Sequence, residues 1–518
     1  LLGHYTDGEY NVLKGRFCVR DYLYSLIESN FKGTIFAHNG GKYDFLFLMK
    51  WLKKEKIAYN YIFPENQGRI IKLTVQNNRK ENITFKDSYM FFQDSLDNLM
   101  FKFYGIRKRE VEYTIEFYTE HEEESLEYLQ DDCMYLSDIL TKFKDKFTLG
   151  NSLSVAGLSF RILRKDYKQE MFFLKNDPIR HDYYGGRVEI FKSNQVTPEV
   201  YHYDVNSLYP YAMSLIDFPK MIVMENDNKI DKKGLYLVDL KVKNKQIAPL
   251  PVKSHEGIVY PSGKIKNYWL DYDSIINYSE DIEILNVYCK LAFYYTFDIR
   301  DFLFDYYDKK KNNFEGLETF WKYILNSCYG KFSQRTDRGV FYYNGNKEIN
   351  EHFVKMRFRG FINNLYSILI VNKAREIMYK YYKEHFNSLV YTDTDSLISN
   401  KKIDIPVSRE MGDFKLEGIH KNFEPISKKV YYYMKWNEEK NKWEEIIKIK
   451  GFSDITTIAE VNLIKKHGIN QSGISMRKSM LDGDVQRYEI LGKKIKLFNT
   501  GRFSNKREYH ISEISLDK

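Results

Sequence analysis

Asp393 and Asp395 stand one residue apart in Leu389-Val390-Tyr391-Thr392-Asp393-Thr394-Asp395-Ser396-Leu397-Ile398, a run that is apolar on both sides of the acids. Carboxylates are seldom carried into such surroundings without a purpose, so the run reads as a hairpin whose tip presents two charges from a core. Alternation along an extended strand puts both carboxylates on one side. A hairpin this apolar needs a large body around it. The chain provides one, with 518 residues, 43% of them hydrophobic and 29% charged, enough for roughly three or four domain-sized units.

Two further segments carry the same stamp. In Tyr203-Asp204-Val205-Asn206-Ser207-Leu208-Tyr209-Pro210 an apolar strand ends in a carboxylate and turns into a helix start. In Lys322-Tyr323-Ile324-Leu325-Asn326-Ser327-Cys328-Tyr329-Gly330 the helical spacing puts Lys322, Asn326, Tyr329 and Gly330 on one face. Phosphoryl transfer from a triphosphate needs metal ions held by carboxylates on rigid strands and a cation for the phosphate tail. Asp204, Asp393 and Asp395 answer the first need and Lys322 the second. Because the ligands are hard oxygens without Cys or His, magnesium is favoured over zinc. Each segment alone is a turn or a capped helix end more often than a site. Together, and in this order, they point to one chemistry.

Other classes are excluded or left without support. No apolar run approaches the ~20 residues of a spanning helix. Four scattered cysteines (Cys18, Cys133, Cys289, Cys328) have no CxxC spacing, which argues against a zinc site or disulfide framework and for a reducing compartment. A net charge of +9 permits a polyanionic partner without requiring one.

Residues 1–148 read as alternating α/β: helices over 20–29 and 44–52, strands over 34–37, 69–75 and 83–87, and an acidic stretch leading into a helix that ends near Phe147. Residues 148–154 form a linker. Strands and long loops follow, then helices over 302–329 and 366–385, then strands again from Leu389. Asn344-Gly345 suits a type I′ hairpin turn.

The three segments resemble the motifs of family B DNA polymerases: Asp-x-x-Ser-Leu-Tyr-Pro, Lys-x-x-x-Asn-Ser-x-Tyr-Gly and Tyr-x-Asp-Thr-Asp-Ser. Tyr183-Tyr184-Gly185-Gly186 resembles the family's link between exonuclease and polymerase domains, and Lys428-Lys429-Val430-Tyr431 its Lys-x-Tyr motif. In the amino-terminal third, His38-Asn39-Gly40-Gly41-Lys42-Tyr43-Asp44 resembles the second exonuclease segment and Tyr128 to Asp132 the third. Ser95-Leu96-Asp97-Asn98-Leu99 resembles a single-strand-binding motif of the protein-primed branch found in certain phages, adenoviruses and linear plasmids.

The resemblance implies an α/β and α+β multidomain fold. An RNase H-like 3′–5′ exonuclease domain over 1–148 precedes a right-hand palm, fingers and thumb polymerase over 149–518, with insertions over about 220–300 and 333–362 and a thumb over about 450–518. It implies that Asp204 and Asp395 are the principal ligands of two Mg²⁺ ions (Mn²⁺ being the alternative), with Asp393 beside them. Ser207, Leu208, Tyr209, Lys322, Asn326, Tyr329 and Gly330 would bind the incoming dNTP, with Tyr209 excluding a 2′-hydroxyl. Lys309-Lys310-Lys311 would add phosphate contacts. Tyr184, Gly185, Gly186, Lys429, Tyr431, Ser95 and Leu96 would touch template and primer DNA, while Asn39, Asp44, Tyr128 and Asp132 would serve the exonuclease. The insertions imply a terminal protein as primer and displacement of the non-template strand. The replicon would be a linear plasmid, in a mitochondrion, or a viral genome in an infected cell. The first exonuclease segment should be Asp-x-Glu on a strand. Asp7-Gly8-Glu9 has the letters, but Gly8 favours a turn, so proofreading is expected to be weak or absent, with the true segment upstream of Leu1. A catalytically silent DNA-binding remnant and an RNA-making palm enzyme are the competing expectations. Intact carboxylates and Lys322 argue against the first, Tyr209 and the Asp-Thr-Asp hairpin against the second.

Overall fold

A computed structural model describes residues 1–450, apart from 7, 65–67, 113, 148, 150–151, 168–183, 193–194, 255–256, 315–316, 334–336, 346–351 and 358–362. Beyond 450 it describes Thr457, Glu460 and four short strands. Tyr183 and most of the expected thumb therefore lie outside the described residues. Among the described residues no helix is long and apolar enough to cross a membrane.

The amino-terminal unit begins with a hairpin, β1 (Leu2–Thr6) and β2 (Glu9–Leu13). Gly8 takes φ +90°, so this Gly belongs to a tight connection rather than to a strand. Helix α1 (Cys18–Glu28), β3 (Gly33–Ala37), α2 (Asp44–Lys54), β4 (Tyr59–Ile62), β5 (Lys72–Gln76) and β6 (Asn82–Asp87) follow. Residues 69–71, expected in a strand, precede β5. Three short helices or helical turns lead onward, α3 (Tyr89–Phe92), α4 (Leu96–Tyr104) and α5 (Ile115–Glu120), and then the long α6 (Glu122–Lys146). β3 runs parallel to β6, and β4, β5 and β6 are antiparallel neighbours. Helix α2 buries Phe45, Leu46, Leu48, Met49 and Leu52 against this sheet, an apolar stripe at helical spacing that also fixes where Asp44 begins the helix.

After α7 (Val155–Lys165), β7 (Val188–Ile190) and β8 (Thr197–Val205) enter a second, seven-stranded sheet, and α8 (Leu208–Ser214) packs behind it. Residues 218–297 then build four strands of a separate five-stranded sheet, whose fifth strand is Tyr509–His510. Its main strands are β9 (Phe218–Glu225), β10 (Gly234–Val242), β13 (Gly263–Asp271) and β14 (Ile282–Phe297), with β11 (Val252–Ser254) and β12 (Gly257–Pro261) pairing beside it and α9 (Tyr272–Asn277) capped by Asp271. Helices α10 (Arg300–Lys311) and α11 (Glu318–Phe332) come next.

The segment after α11 forms β15 (Asp337–Tyr343) and β16 (His352–Arg357), and β15 does not stay local: it pairs antiparallel with β4 and extends the amino-terminal sheet. Because His352 pairs with Tyr342, the connection is longer than the two-residue turn that Asn344-Gly345 suggested. Gly345 does take φ +85°, but a Cβ there would stand 2.5 Å from the Lys56 carbonyl, so this glycine also serves the approach to the other unit. Helix α12 (Asn364–His385) is buried on nearly every face, as a central helix must be. The chain then returns to the second sheet with β17 (Leu389–Asp393), β18 (Ser396–Ser399), β19 (Phe414–Ser427), β20 (Val430–Asn437) and β21 (Lys442–Ile449), in the order β21-β20-β19-β8-β18-β17-β7. Strand β8 therefore lies inside the sheet, with Tyr203 and Val205 in the core shared with α12 and Val200 in a smaller core on the opposite face.

Candidate functional site

The sheet order brings the separated carboxylates together. β18 pairs with β8 so that Ser396 faces Asp204, and the Val205 N–H donates to the Asp395 carbonyl at 2.9 Å. Asp204, at the end of β8, and Asp395, in the turn after β17, thus come to one place from positions distant in sequence. Burial raises both carboxyls above their usual range. For Asp204 the neighbouring Asp395 and Glu417 push further, with Lys322 and Lys415 pulling back. For Asp395 the further push comes from Asp393, and Lys322 and Lys429 oppose it.

Asp393 departs from the expected arrangement. Asp393 and Asp395 do not alternate along one strand, because Thr394 takes φ +66° and the chain turns between them. Asp393 accepts from Lys429 Nζ and from Thr394 Oγ1. Two residues assigned to different tasks, metal and primer, are therefore ion-paired to each other, and Lys429 itself takes φ +62°. Tyr431 packs on Tyr391 (5.1 Å between ring centroids) and Phe423 (5.5 Å).

Among the described residues no group of three or more His, Cys, Asp or Glu is placed to hold a metal. Two hard-oxygen carboxylates that repel each other, half-countered by lysines at a distance, nevertheless fit a hard divalent cation whose remaining ligands come from substrate and water. Helix α11 places the cation for the phosphate tail. Ile324, Leu325 and Cys328 are fully buried, and the Ile324 carbonyl accepts from Ser159 Oγ at 2.6 Å, which leaves Lys322 on the exposed face. Lys310 joins it from α10: it is pulled below its usual range by burial and by Lys322, and donates to Ser207 Oγ at 3.0 Å. Of the basic triplet, Lys309 pairs with Asp305 and Lys311 with Glu410, so Lys310 is the member turned to the site.

Tyr209 stacks on Tyr329, ring centroids 4.2 Å apart and 19° from parallel, so two motifs meet face to face. Ser207, at φ +56°, makes the sharp entry into α8, while Leu208 is buried in the core and offers a ligand only its backbone. Among the described residues nothing occupies the space a Cβ would take at Gly330 or Gly185. Gly186 is different: a Cβ there would stand 2.6 Å from Thr394 Cγ2, so its smallness is required by the turn that carries Asp395. Tyr184 is buried and stacks parallel to Tyr268.

The amino-terminal residues form a second cluster. Asn39, at φ +62°, and Asp44 flank the start of α2, and the Asn39 Oδ1 is buried without a partner. Asp44 sits in a cleft where burial, then Asp87 and Asp132, raise its carboxyl. Tyr128 and Asp132 share a face of α6, and Lys108 serves both, 2.7 Å from Asp132 and 4.4 Å above the Tyr128 ring. Asp87, Arg69 and Lys108 were not singled out from sequence. Asp87 had a signal, a carboxylate ending an apolar strand just as Asp204 does; it is now paired with Arg69 at 3.0 Å. Ser95 and Leu96, expected to touch DNA, have a local structural role here. Ser95 caps α4 by accepting the Asn98 N–H at 3.1 Å, and Leu96 is buried. A capping Ser three residues before Asn followed by apolar residues is a helix start first.

Comparison with known proteins agrees with this geometry. The family model for DNA polymerase type B, organellar and viral, matches residues 27–117 and 108–409. The DNA-directed DNA polymerase of Enterobacteria phage PRD1 is 26% identical over 83% of this chain and 78% of its own length. A probable DNA polymerase of Neurospora intermedia is 22% identical over 87% of this chain, which spans 57% of that protein. By structure, phi29 DNA polymerase complexed with primer-template DNA and incoming nucleotides superposes over 93% of both chains, with a TM-score of 0.76 at 17% identity.

Proposed function

The chain belongs to the organellar and viral type B DNA polymerases, and from that premise we propose that it extends a DNA primer by nucleotidyl transfer at Asp204 and Asp395, starting from a protein primer. The observation that carries the site is the Asp204–Asp395 pair itself, assembled by β8 and the turn after β17 and raised in pKa by burial and by neighbouring carboxylates, Asp395 for Asp204 and Asp393 for Asp395. Divalent ions, taken here as Mg²⁺, supply charge neutralisation at the attacking and leaving oxygens. The protein's own part is to hold and orient. In this reading the seven-stranded sheet with α8 and α12 is the palm, α10 and α11 are the fingers, residues 450–518 the thumb, and the amino-terminal sheet an RNase H-like exonuclease domain.

Lys322 and Lys310 hold the triphosphate, Lys322 from the exposed face of α11 and Lys310 from beside Ser207. Tyr209, fixed by its stack on Tyr329, closes the space where a ribose 2′-hydroxyl would lie. Asn326, Tyr329 and Gly330 face the nascent base pair, and the open space at Gly330 and Gly185 suits close approach of nucleic acid. Lys429 and Tyr431 hold the primer end, so Lys429 links primer to Asp393. The five-stranded sheet of 218–297 is the surface for a terminal protein, and the β15–β16 hairpin, joined to the amino-terminal sheet, is the element that parts the strands. The cysteines, free among the described residues, suit a reducing compartment such as the interior of an infected cell or a mitochondrion.

Primer extension with dNTPs and Mg²⁺ tests the reading. Extension should fall by roughly 10²–10³-fold in Asp204→Asn and in Asp395→Asn; wild-type rates in both would end the assignment.

A further inference from the structure

Thr394 is β-branched and still holds φ +66° at the turn that carries Asp395, a conformation costing ~1–3 kcal/mol unless its neighbours impose it. The neighbours are residues 186–188. The Thr394 N–H donates to the Arg187 carbonyl at 2.7 Å, the Gly186 Cα abuts the Thr394 side chain, and Val188 pairs with Asp393.

What fixes Arg187 lies elsewhere. Its side chain is buried, donates from Nε to Glu189 at 2.6 Å and from a terminal nitrogen to the Ala248 carbonyl at 2.7 Å, and lies 4.1 Å over the Tyr260 ring and 5.4 Å from the Tyr382 ring. Ala248 and Tyr260 belong to the 218–297 region. Tyr382 belongs to α12, and its hydroxyl bonds Thr392 Oγ1 at 3.0 Å, which in turn donates to the Ser396 carbonyl at 2.7 Å. One guanidinium thus touches the inserted region and the central helix directly and reaches both strands of the turn through Tyr382 and Thr392. Only a planar fork with several donors does this, which is why Lys is not equivalent.

We propose that Arg187 is a positioning residue for nucleotidyl transfer, setting the Thr394 turn, and so the aim of Asp395, against the inserted 218–297 region. The proposal rests on the nucleotidyl-transfer reading above. Gly186, Arg187, Tyr209, Tyr260, Arg375 and Thr394 line a small pocket of about 10 Å³ beside the guanidinium, and among the described residues the Tyr260 hydroxyl is buried without a partner. The strands on either side of the turn are paired through their backbones, so losing the fork removes the tether from the turn without unpairing the sheet.

The test compares Arg187→Lys with the double variant Arg187→Met/Glu189→Gln, which leaves no buried charge unpaired. Rates are measured per active site, counted by burst titration, so that a lost folded fraction does not enter. The double variant should lose about tenfold or more in kcat, with KM for dNTP and Kd for primer–template within about twofold of wild type; Arg187→Lys should lose less. Unchanged kcat per active site, or an unchanged kcat with weakened DNA binding, overturns the proposal. If the double variant does not fold, Arg187→Lys decides by the same criterion. Asp395→Asn run in parallel separates the two readings: wild-type extension there overturns nucleotidyl transfer at this site and the proposal with it, whereas lost extension there with unchanged kcat in the Arg187 variants overturns the proposal alone.

Discussion

The protein holds two pairs of carboxylates raised above their usual range, the half-buried Asp204 and Asp395 and, in the amino-terminal unit, the exposed Asp44 with the half-buried Asp132, and they differ in how positive charge reaches them. Around Asp204 and Asp395 the lysines act from a distance, and neither carboxylate is taken up by an ion pair among the described residues. At the amino-terminal pair Lys108 sits directly on Asp132, and Arg69 has claimed the nearby Asp87. The carboxyls are raised at both places, so the shift by itself does not distinguish the two pairs. The difference is whether the unmet charge has been left for a ligand or already spent on a side chain.

The same substitution in each pair is the strongest way to break this comparison. Asp204→Asn should lower primer extension by roughly 10²–10³-fold, whereas Asp132→Asn should leave extension within about twofold and also leave trimming of single-stranded DNA at its low initial level. Robust metal-dependent trimming that vanishes in Asp132→Asn would mean that the Lys108 pair gives way to metal. The lysines provide the next contrast. Lys322→Ala removes charge-assisted contacts to a triphosphate, worth ~1.5–3 kcal/mol, so kcat/KM for dNTP should fall by about tenfold to a hundredfold. Lys108→Ala should leave that ratio alone; equal losses in steady-state assays would erase the distinction between the sites. Tyr209→Val tests the stack on Tyr329: incorporation of ribonucleotides relative to deoxynucleotides should rise by about tenfold or more, and an unaltered ratio would remove the steric role.

Much of the site was legible because its chemistry is concentrated in short strings. The strand ending at Asp204, the face of α11 with Lys322, and the hairpin nature of 389–398 all follow from periodicity and turn chemistry. Less legible was anything set by backbone that departs from the regular. Ser207, Thr394, Lys429 and Asn39 all take positive φ, and no propensity announces a left-handed Thr or Lys. This is why the two acids around Thr394 read as one strand face and proved to diverge. Long-range partners were hidden for another reason: Arg187 with Ala248, Lys310 with Ser207 and β15 with β4 meet only through tertiary packing. Ser95 shows the converse, a residue singled out for its motif whose helix-capping bond was also readable from the local sequence.

The smallest expected effect concerns stability, and it asks whether the two regions unfold together. Burial lowers both His38, in the amino-terminal unit, and His420, on β19 of the second sheet, to about 4. In the unfolded chain each titrates near 6.5. Above that pH both states are neutral and no stability is lost. As pH falls from about 6.5 towards 4 the unfolded chain takes up protons that the folded histidines refuse, so stability declines. His38 Nδ1 lies 3.1 Å from Ser88 Oγ and its Nε2 donates to the Asp94 carbonyl at 2.8 Å, which ties the ring to the segment 88–94. Replacing His38 with Asn should therefore flatten the acid-side fall in urea midpoint, by on the order of 2 kcal/mol between pH 7 and 4.5, and His420→Phe should do so independently. If each variant moves a separate transition, the units melt apart and the β15–β4 pairing is a weak joint. If both move a single transition, that pairing fuses them, and acid then weakens the intact catalytic sheet through a histidine in the other unit.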